Sequence, residues 1–300
     1  MNSLARMSCL LRPPPTAVFG MLKAFFDDSG DDIDPQHKVC TLAGYVGTCA
    51  QWDEFEYGWR AVLKRHGLPY LHMKDFNAYR GPFERLRSQR LFRARFLSDL
   101  VEVVRLSRLR GLASMVRLVD LRGLSADRDV SIDAFAFNLY ICAVQMAVLW
   151  PETSIEVWID RITNPTMRVA QAELYAKTDP LHSKAWEFLT VAPLGKGKTF
   201  RDKPPLQVAD FLAWEARKDI DTKHVWFSRE HPTEDYKAYR RELRDWSASQ
   251  NIPYPYGRKS LAALVMKTGV YGHAWHKETL SYLDKARNGV WPTLRSEITP

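Results

Sequence analysis

The sequence predicts a mixed α/β sheet flanked by helices, and three observations carry that reading. Strand-like and helix-like runs alternate from Met21 onward. The first two strand-like runs lie close enough in sequence to pair as an antiparallel hairpin, whereas later ones are separated by helices that suit crossover connections. With 300 residues, 46% hydrophobic and 26% charged, the chain carries the apolar material for one large core or two modest ones.

Taken in order, Met21 to Asp27 is aromatic and aliphatic, stops at the turn formers Asp-Ser-Gly, and is followed after a polar loop by the apolar run Lys38 to Val46. Trp52, Phe55, Trp59, Val62 and Leu63 then recur at helical spacing, with Thr48 as the candidate cap and Gly67 and Pro69 as the stop. A short stretch from Tyr70 to Phe76 leads to an expected long amphipathic helix, Phe83 to Arg105, whose apolar positions are interleaved with arginines. A strand is expected near Leu112 to Val119, a buried helix over Ala134 to Trp150, and a strand over Ser154 to Asp160. Asn164 and Pro165 open a helix running to Lys177, Ala185 to Ala192 reads as a strand, and Pro205 to Lys218 as the last helix of this domain. Residues 1–20 read as a flexible extension with Met21 a candidate start, 21–218 as the α/β domain, and 219–300 as a C-terminal helical appendage.

Composition excludes several classes. The chain lacks the polarity of a disordered protein, and its most apolar segment is interrupted by Asn138 and Gln145, short of the roughly 20 apolar residues that span a bilayer. No membrane role is expected. Cys9, Cys40, Cys49 and Cys142 are scattered without a CxxC pair, which argues for a reducing, cytoplasmic setting and against structural zinc. The 43 Lys and Arg against 35 Asp and Glu give a charge of +8, which favours polyanionic partners.

Three carboxylates stand where a structural role explains them poorly. Asp27 ends an apolar strand, on the same face as Phe25 by alternation, although an ordinary acidic turn over Asp27, Asp28, Ser29 and Gly30 is the plain alternative. Asp160 closes the strand Ile155 to Asp160, at the carboxyl end where ligands of open α/β sheets gather; a partner for Arg161 is its plain reading. Asp210 lies in Leu206 to Trp214, which is apolar nearly all round, so its carboxylate is expected to be buried and in need of compensation by a metal or by Arg217. An acid on the first strand, one on a later strand and one on a final helix is the order in which a ribonuclease H-like sheet assembles its site.

Five stretches in order carry a resemblance: FDDSG at Phe26 to Gly30, AGYVG at Ala43 to Gly47 with its Trp and Phe helix, LHMKDF at Leu71 to Phe76, WID at Trp158 to Asp160, and LQVADFLAWE at Leu206 to Glu215. Over Met21 to Lys218 the chain is similar to the domain of unknown function 3800 family, which is grouped with the ribonuclease H-like superfamily. The resemblance implies that Asp27, Asp160 and Asp210 are the site carboxylates. That family usually carries Glu as the second acid of the first motif, where this chain has the shorter Asp28.

The function expected on these grounds is metal-dependent cleavage of phosphodiesters in DNA or RNA, with Mg2+ or Mn2+ on Asp27, Asp160 and Asp210, assisted by Asp28 or His72. Gln207, Lys196 and Lys198 are expected at the substrate. The arginines at 85, 87, 90, 93 and 95 read as one basic helix, by default a solvated face. Trp158 and Trp214 are more simply core residues than base-stacking platforms. Gly197, Lys198 and Thr199 imitate the end of a phosphate loop, but the glycine that should precede them by five is Ala192, and no helix opens at once. His273 and His276 form a bare HxxH best read as surface histidines. Two rivals share much of this pattern: a catalytically silent module that binds nucleic acid or protein, and a hydrolase of nucleotides or other small phosphoesters. Oligomeric state is not readable from these residues.

Overall fold

The computed structural model describes residues 21–30, 38–122, 132–160, 164–177, 183, 186–193, 200–221 and 271–275. Strand β1 (Leu22–Ser29) pairs with β2 (Val39–Thr48) as the expected antiparallel hairpin, with Phe26 opposite Gly44. Gly44 is required there, since a Cβ would come 1.9 Å from the Phe25 carbonyl oxygen. Helix α1 (Cys49–Arg65) starts on a reciprocal cap in which Gln51 N–H donates to Thr48 Oγ1 and Thr48 N–H donates to Gln51 Oε1.

After the short helix α2 (Met73–Ala78) and α3 (Arg90–Leu106) come β3 (Arg110–Arg117), α4 (Ala134–Leu149), β4 (Ile155–Ile159), α5 (Pro165–Lys177), β5 (Leu189–Pro193), α6 (Pro204–Asp221) and β6 (Tyr271–Trp275). The sheet order is β5-β4-β1-β2-β3-β6. β2 runs against both of its neighbours, and every other adjacent pair is parallel. The alternation of β1 feeds two cores. Leu22, Ala24 and Phe26 meet Phe137 and Tyr140 of α4 and Tyr175 of α5 on one face. On the other face Phe25 packs with Ala43, Tyr45, Trp59 of α1, Phe96 of α3 and Phe211 of α6. Each fully buried ring contributes about 1.5 to 3 kcal/mol relative to an exposed one, so the sheet is held from both sides.

The Asn that interrupts the apolar α4 is explained by the sheet beneath it. Asn138 Oδ1 accepts from Ser114 Oγ at 2.7 Å and its Nδ2 donates to the Cys40 carbonyl at 3.1 Å. Cys142 is buried beside it, and that burial pushes its thiol pKa up. Cys40, Cys49 and Cys142 are all free thiols. Among the described residues no helix is long and apolar enough to cross a membrane.

Three sequence expectations are corrected. The single helix from Phe83 to Arg105 is two elements, a 3-10 turn (Gly81–Leu86) and α3, because Arg87 N–H and Gln89 N–H close tight turns onto Glu84 and Leu86. The five arginines therefore do not form one helical stripe, and Arg93 is buried, its guanidinium stacked on the Phe76 and Tyr79 rings at 4.4 Å from each centroid. The C-terminal part is not wholly helical. Residues 271–275, including His273, form β6 and extend the sheet parallel to β3, with Leu112 opposite Tyr271. Residues 1–20 and the remainder of 222–300, His276 among them, lie outside the described residues.

Candidate functional site

The parallel pairing of β1 and β4 sets Phe25 opposite Trp158 and Phe26 opposite Ile159. Asp160 N–H continues the ladder to the Phe26 carbonyl at 3.2 Å, so Asp160, just past β4, sits beside Asp27, which lies within β1 two residues before its end. By alternation both follow Phe25 and Trp158 on the face covered by α6, where those two rings stack with centroids 6.5 Å apart. Trp158 is thus engaged within the protein, and Trp214 carries the Arg217 guanidinium 4.9 Å above its ring.

Asp210 descends toward this edge from α6, 7% exposed, and its Oδ2 accepts the Met73 N–H at 2.7 Å. That bond draws the start of α2 to the site and brings along the preceding residue, His72, whose Nδ1 lies 2.8 Å from Asp75 Oδ2. Arg217 is not the compensating ion for Asp210. Its Nε donates instead to Ser29 Oγ at 2.8 Å, near the end of β1.

The electrostatics tie these acids together. Burial raises the Asp27 pKa well above the usual carboxylate range, and the charges of Asp210, Asp28 and Asp160 raise it further, against the lowering effect of the Asp28 N–H bond to its Oδ1. Asp210 is pushed up to about 6, chiefly by burial; the Met73 N–H and His72 lower it, while Asp160 and Asp75 raise it. Asp27, Asp28, Asp160, Asp210, His72 and Asp75 therefore share one electrostatic neighbourhood. Among the described residues no three His, Cys, Asp or Glu side chains form a ready-made ligand group for a metal ion. The donor chemistry still suits a hard cation. The acids offer oxygen donors, they repel one another in a partly dry setting, and no described Lys or Arg is paired with Asp27, Asp160 or Asp210.

Gln207, expected at the substrate, is 1% exposed and its amide is committed inside the protein. Its Oε1 accepts from Trp59 Nε1 at 2.9 Å and from Leu71 N–H at 3.0 Å, and its Nε2 donates to the Arg201 carbonyl at 2.8 Å. One amide thereby joins α1, the strand-like approach to His72 and the entry to α6. Lys196 and Lys198, with the Gly197 to Thr199 stretch, lie outside the described residues.

Sequence reasoning assigned Asp75 no role of its own and left Glu215 without a reading. For Asp75 the HxxD spacing at a helix start was the available signal, because residues three apart share a face. Glu215, 3% exposed on α6, is held protonated by burial up to about pH 7, with Lys218 pulling the other way. Between the unfolded value of 4.5 and about 7 the folded chain binds the extra proton, so stability falls as pH rises through that window. Glu215→Gln is expected to flatten this slope and to raise stability at pH 8 by about 2 to 3 kcal/mol. Urea unfolding at pH 5 and pH 8 checks it, and a gain that is equal at both pH values would assign the effect to packing.

In comparisons with known proteins, no family model matches the chain, and no curated protein does.

Proposed function

We propose that this chain is a metal-dependent phosphodiester hydrolase of the ribonuclease H-like kind that acts on nucleic acid. The observation that carries the reading is that Asp27 in β1 and Asp160 just past β4 sit side by side on parallel neighbours, with Asp210 of the covering helix close enough for its charge to raise the Asp27 pKa. A structural role explains that arrangement poorly, since burial and mutual repulsion raise the pKa of Asp27 and Asp210. The antiparallel hairpin at the start and the later parallel crossovers are compatible with this reading. Four of the five motifs similar to the domain of unknown function 3800 family fall on this site: FDDSG ends β1, WID ends β4, LHMKDF supplies His72 and Met73, and LQVADFLAWE supplies Gln207 and Asp210.

Asp27, Asp160 and Asp210 would hold Mg2+ or Mn2+, which when bound neutralises charge developing on the phosphoryl group and acidifies a water. The protein's own part is to fix the carboxylates on rigid elements, with the Met73 N–H orienting Asp210 and the Asp28 N–H orienting Asp27. Nucleic acid as the substrate draws on the net charge of +8 and on exposed cations beside the site. Lys74 follows Met73 at the Asp210 contact, and Arg201 stacks 4.8 Å over the Tyr70 ring while its carbonyl is held by Gln207. The free thiols suit a cytoplasmic location.

The rival reading, a catalytically silent module that binds nucleic acid or protein, draws on the carboxylates not already forming a ligand group. The test is incubation of purified protein with labelled single- and double-stranded DNA and RNA in Mg2+, Mn2+ or EDTA, beside Asp27→Asn. Cleavage that needs the metal and falls at least about 100-fold in the variant supports the hydrolase. Binding without cleavage, unchanged by the substitution, favours the silent module, and cleavage of mononucleotide esters alone favours a small-molecule phosphoesterase.

A further inference from the structure

We infer that His72 is the general acid of this site and that Asp75 is a positioning residue that fixes the working tautomer of His72; the inference rests on the hydrolase reading above. The geometry comes from one short segment. His72 caps α2 in an extended conformation, with φ −139° and ψ 115°, and makes no capping hydrogen bond with its side chain. The imidazole instead turns to Asp75, in the first turn of the same helix, with Nδ1 2.8 Å from Oδ2. An ionised carboxylate only accepts, so this bond places the proton on Nδ1 and makes Nε2 the atom through which the ring exchanges protons with its surroundings. The next residue, Met73, donates its N–H to Asp210 at 2.7 Å, which locks the dyad beside the carboxylates. His72 and Asp75 are both partly buried, with 28% and 21% of their side-chain surface exposed, enough for contact with a substrate and enough cover to restrict the ring.

The chemistry assigns the direction of transfer. Asp27, Asp160 and Asp210, once ionised, can accept protons and cannot donate them. The His72 imidazole is the neighbouring group whose ring nitrogen can hand a proton to a leaving oxygen. In hydrolysis, a water oxygen bonds to phosphorus and the bond from phosphorus to the leaving oxygen breaks, its electron pair passing to that oxygen. The leaving oxygen takes the proton from His72 Nε2, the attacking water gives up one proton to solvent, and the neutral imidazole regains its proton from solvent. One water is consumed, and one phosphomonoester and one alcohol are formed. The Nδ1–H bond to Asp75 persists throughout, holding the ring in orientation and stabilising the imidazolium that begins the step.

The test uses the full-length chain and two substrates: a short oligonucleotide, whose leaving alkoxide needs a proton, and thymidine 5′-(p-nitrophenyl phosphate), whose leaving phenolate needs none. His72→Ala is expected to lower kcat about 100-fold or more on the oligonucleotide and less than about tenfold on the nitrophenyl ester. Asp75→Asn preserves the shape but allows the other tautomer, and is expected to lower kcat on the oligonucleotide by about 10- to 100-fold with KM unchanged. Two-bond proton–nitrogen spectra of the His72 ring, identified by its loss in His72→Ala, should show Nδ1 protonated in the wild type and a mixed tautomer in Asp75→Asn. Equal losses on both substrates, or an active wild type whose His72 carries its proton on Nε2, would overturn the assignment while leaving the hydrolase standing. A wild type inactive on every phosphodiester would overturn the hydrolase reading and the acid role with it.

Discussion

Asp210→Asn is expected to abolish metal-dependent cleavage and, at the same time, to make the metal-free protein more stable at neutral pH. The two effects have one cause. The carboxyl is 7% exposed, and burial pushes it up to about 6, so above that pH the fold carries a charge it solvates poorly. For the sign, the folded chain binds the extra proton between 3.8 and about 6, so stability falls as pH rises through that window and the full penalty applies above it. Asn removes the charge and keeps an oxygen to accept the Met73 N–H, so a gain of about 2 to 3 kcal/mol is expected at pH 7.5. A second readout separates this from general stabilisation. Mn2+ should raise the Tm of the wild type, because it binds only the folded site, and should leave that of the variant unchanged. A variant that loses stability, or that keeps the metal-induced shift, would show that Asp210 serves the fold and not the ion.

The lone acid was legible because its neighbours are apolar nearly all round, so that burial followed from the helix period alone. Asp160 was legible as a strand end and Asp27 as a strand acid, although β1 runs on to Ser29, and the hairpin, α1 with its Thr48 cap and the helix from Pro165 to Lys177 were equally plain. What joins the acids was not. The pairing of β1 with β4 is a contact between segments far apart in the chain, and nothing in either strand names its neighbour. Gln207 looked like a substrate ligand because a polar side chain one turn before a site acid has two equivalent uses, and only the positions of Trp59, Leu71 and Arg201 decide between them. Arg93 misled in the same manner: a cation in an amphipathic run reads as solvated until the Phe76 and Tyr79 rings that cover it are in place. The appendage was read as helical from composition, which carries no trace of the parallel partner that β6 finds in β3.

Gln207→Leu is expected to destabilise the fold by about 3 to 5 kcal/mol, more than any surface substitution. The amide accepts from two donors inside the protein, Trp59 Nε1–H and Leu71 N–H. Removing the acceptor strands both at about 1 to 3 kcal/mol each, while the similar volume of Leu avoids a cavity. A lowered midpoint in urea with an unchanged slope would check this. The loss should also reach the site, because the Leu71 bond fixes the segment that carries His72 and Met73. Cleavage is therefore expected to weaken even at temperatures where the variant is folded. A midpoint within about 1 kcal/mol of the wild type would mean that water replaces the amide.

The order in which the chain leaves the ribosome gives α6 one more consequence. The strands that carry Asp27 and Asp160 are synthesised well before Gln207 and Asp210, yet the face of β1 and β2 bearing Phe25, Ala43 and Tyr45 is closed by Val208, Phe211 and Leu212 of that late helix. A chain that ends before α6 therefore has this apolar face covered only in part, by α1 and α3, and an incomplete acid set. Closure of that sheet face and completion of the acid set thus wait on the same late helix.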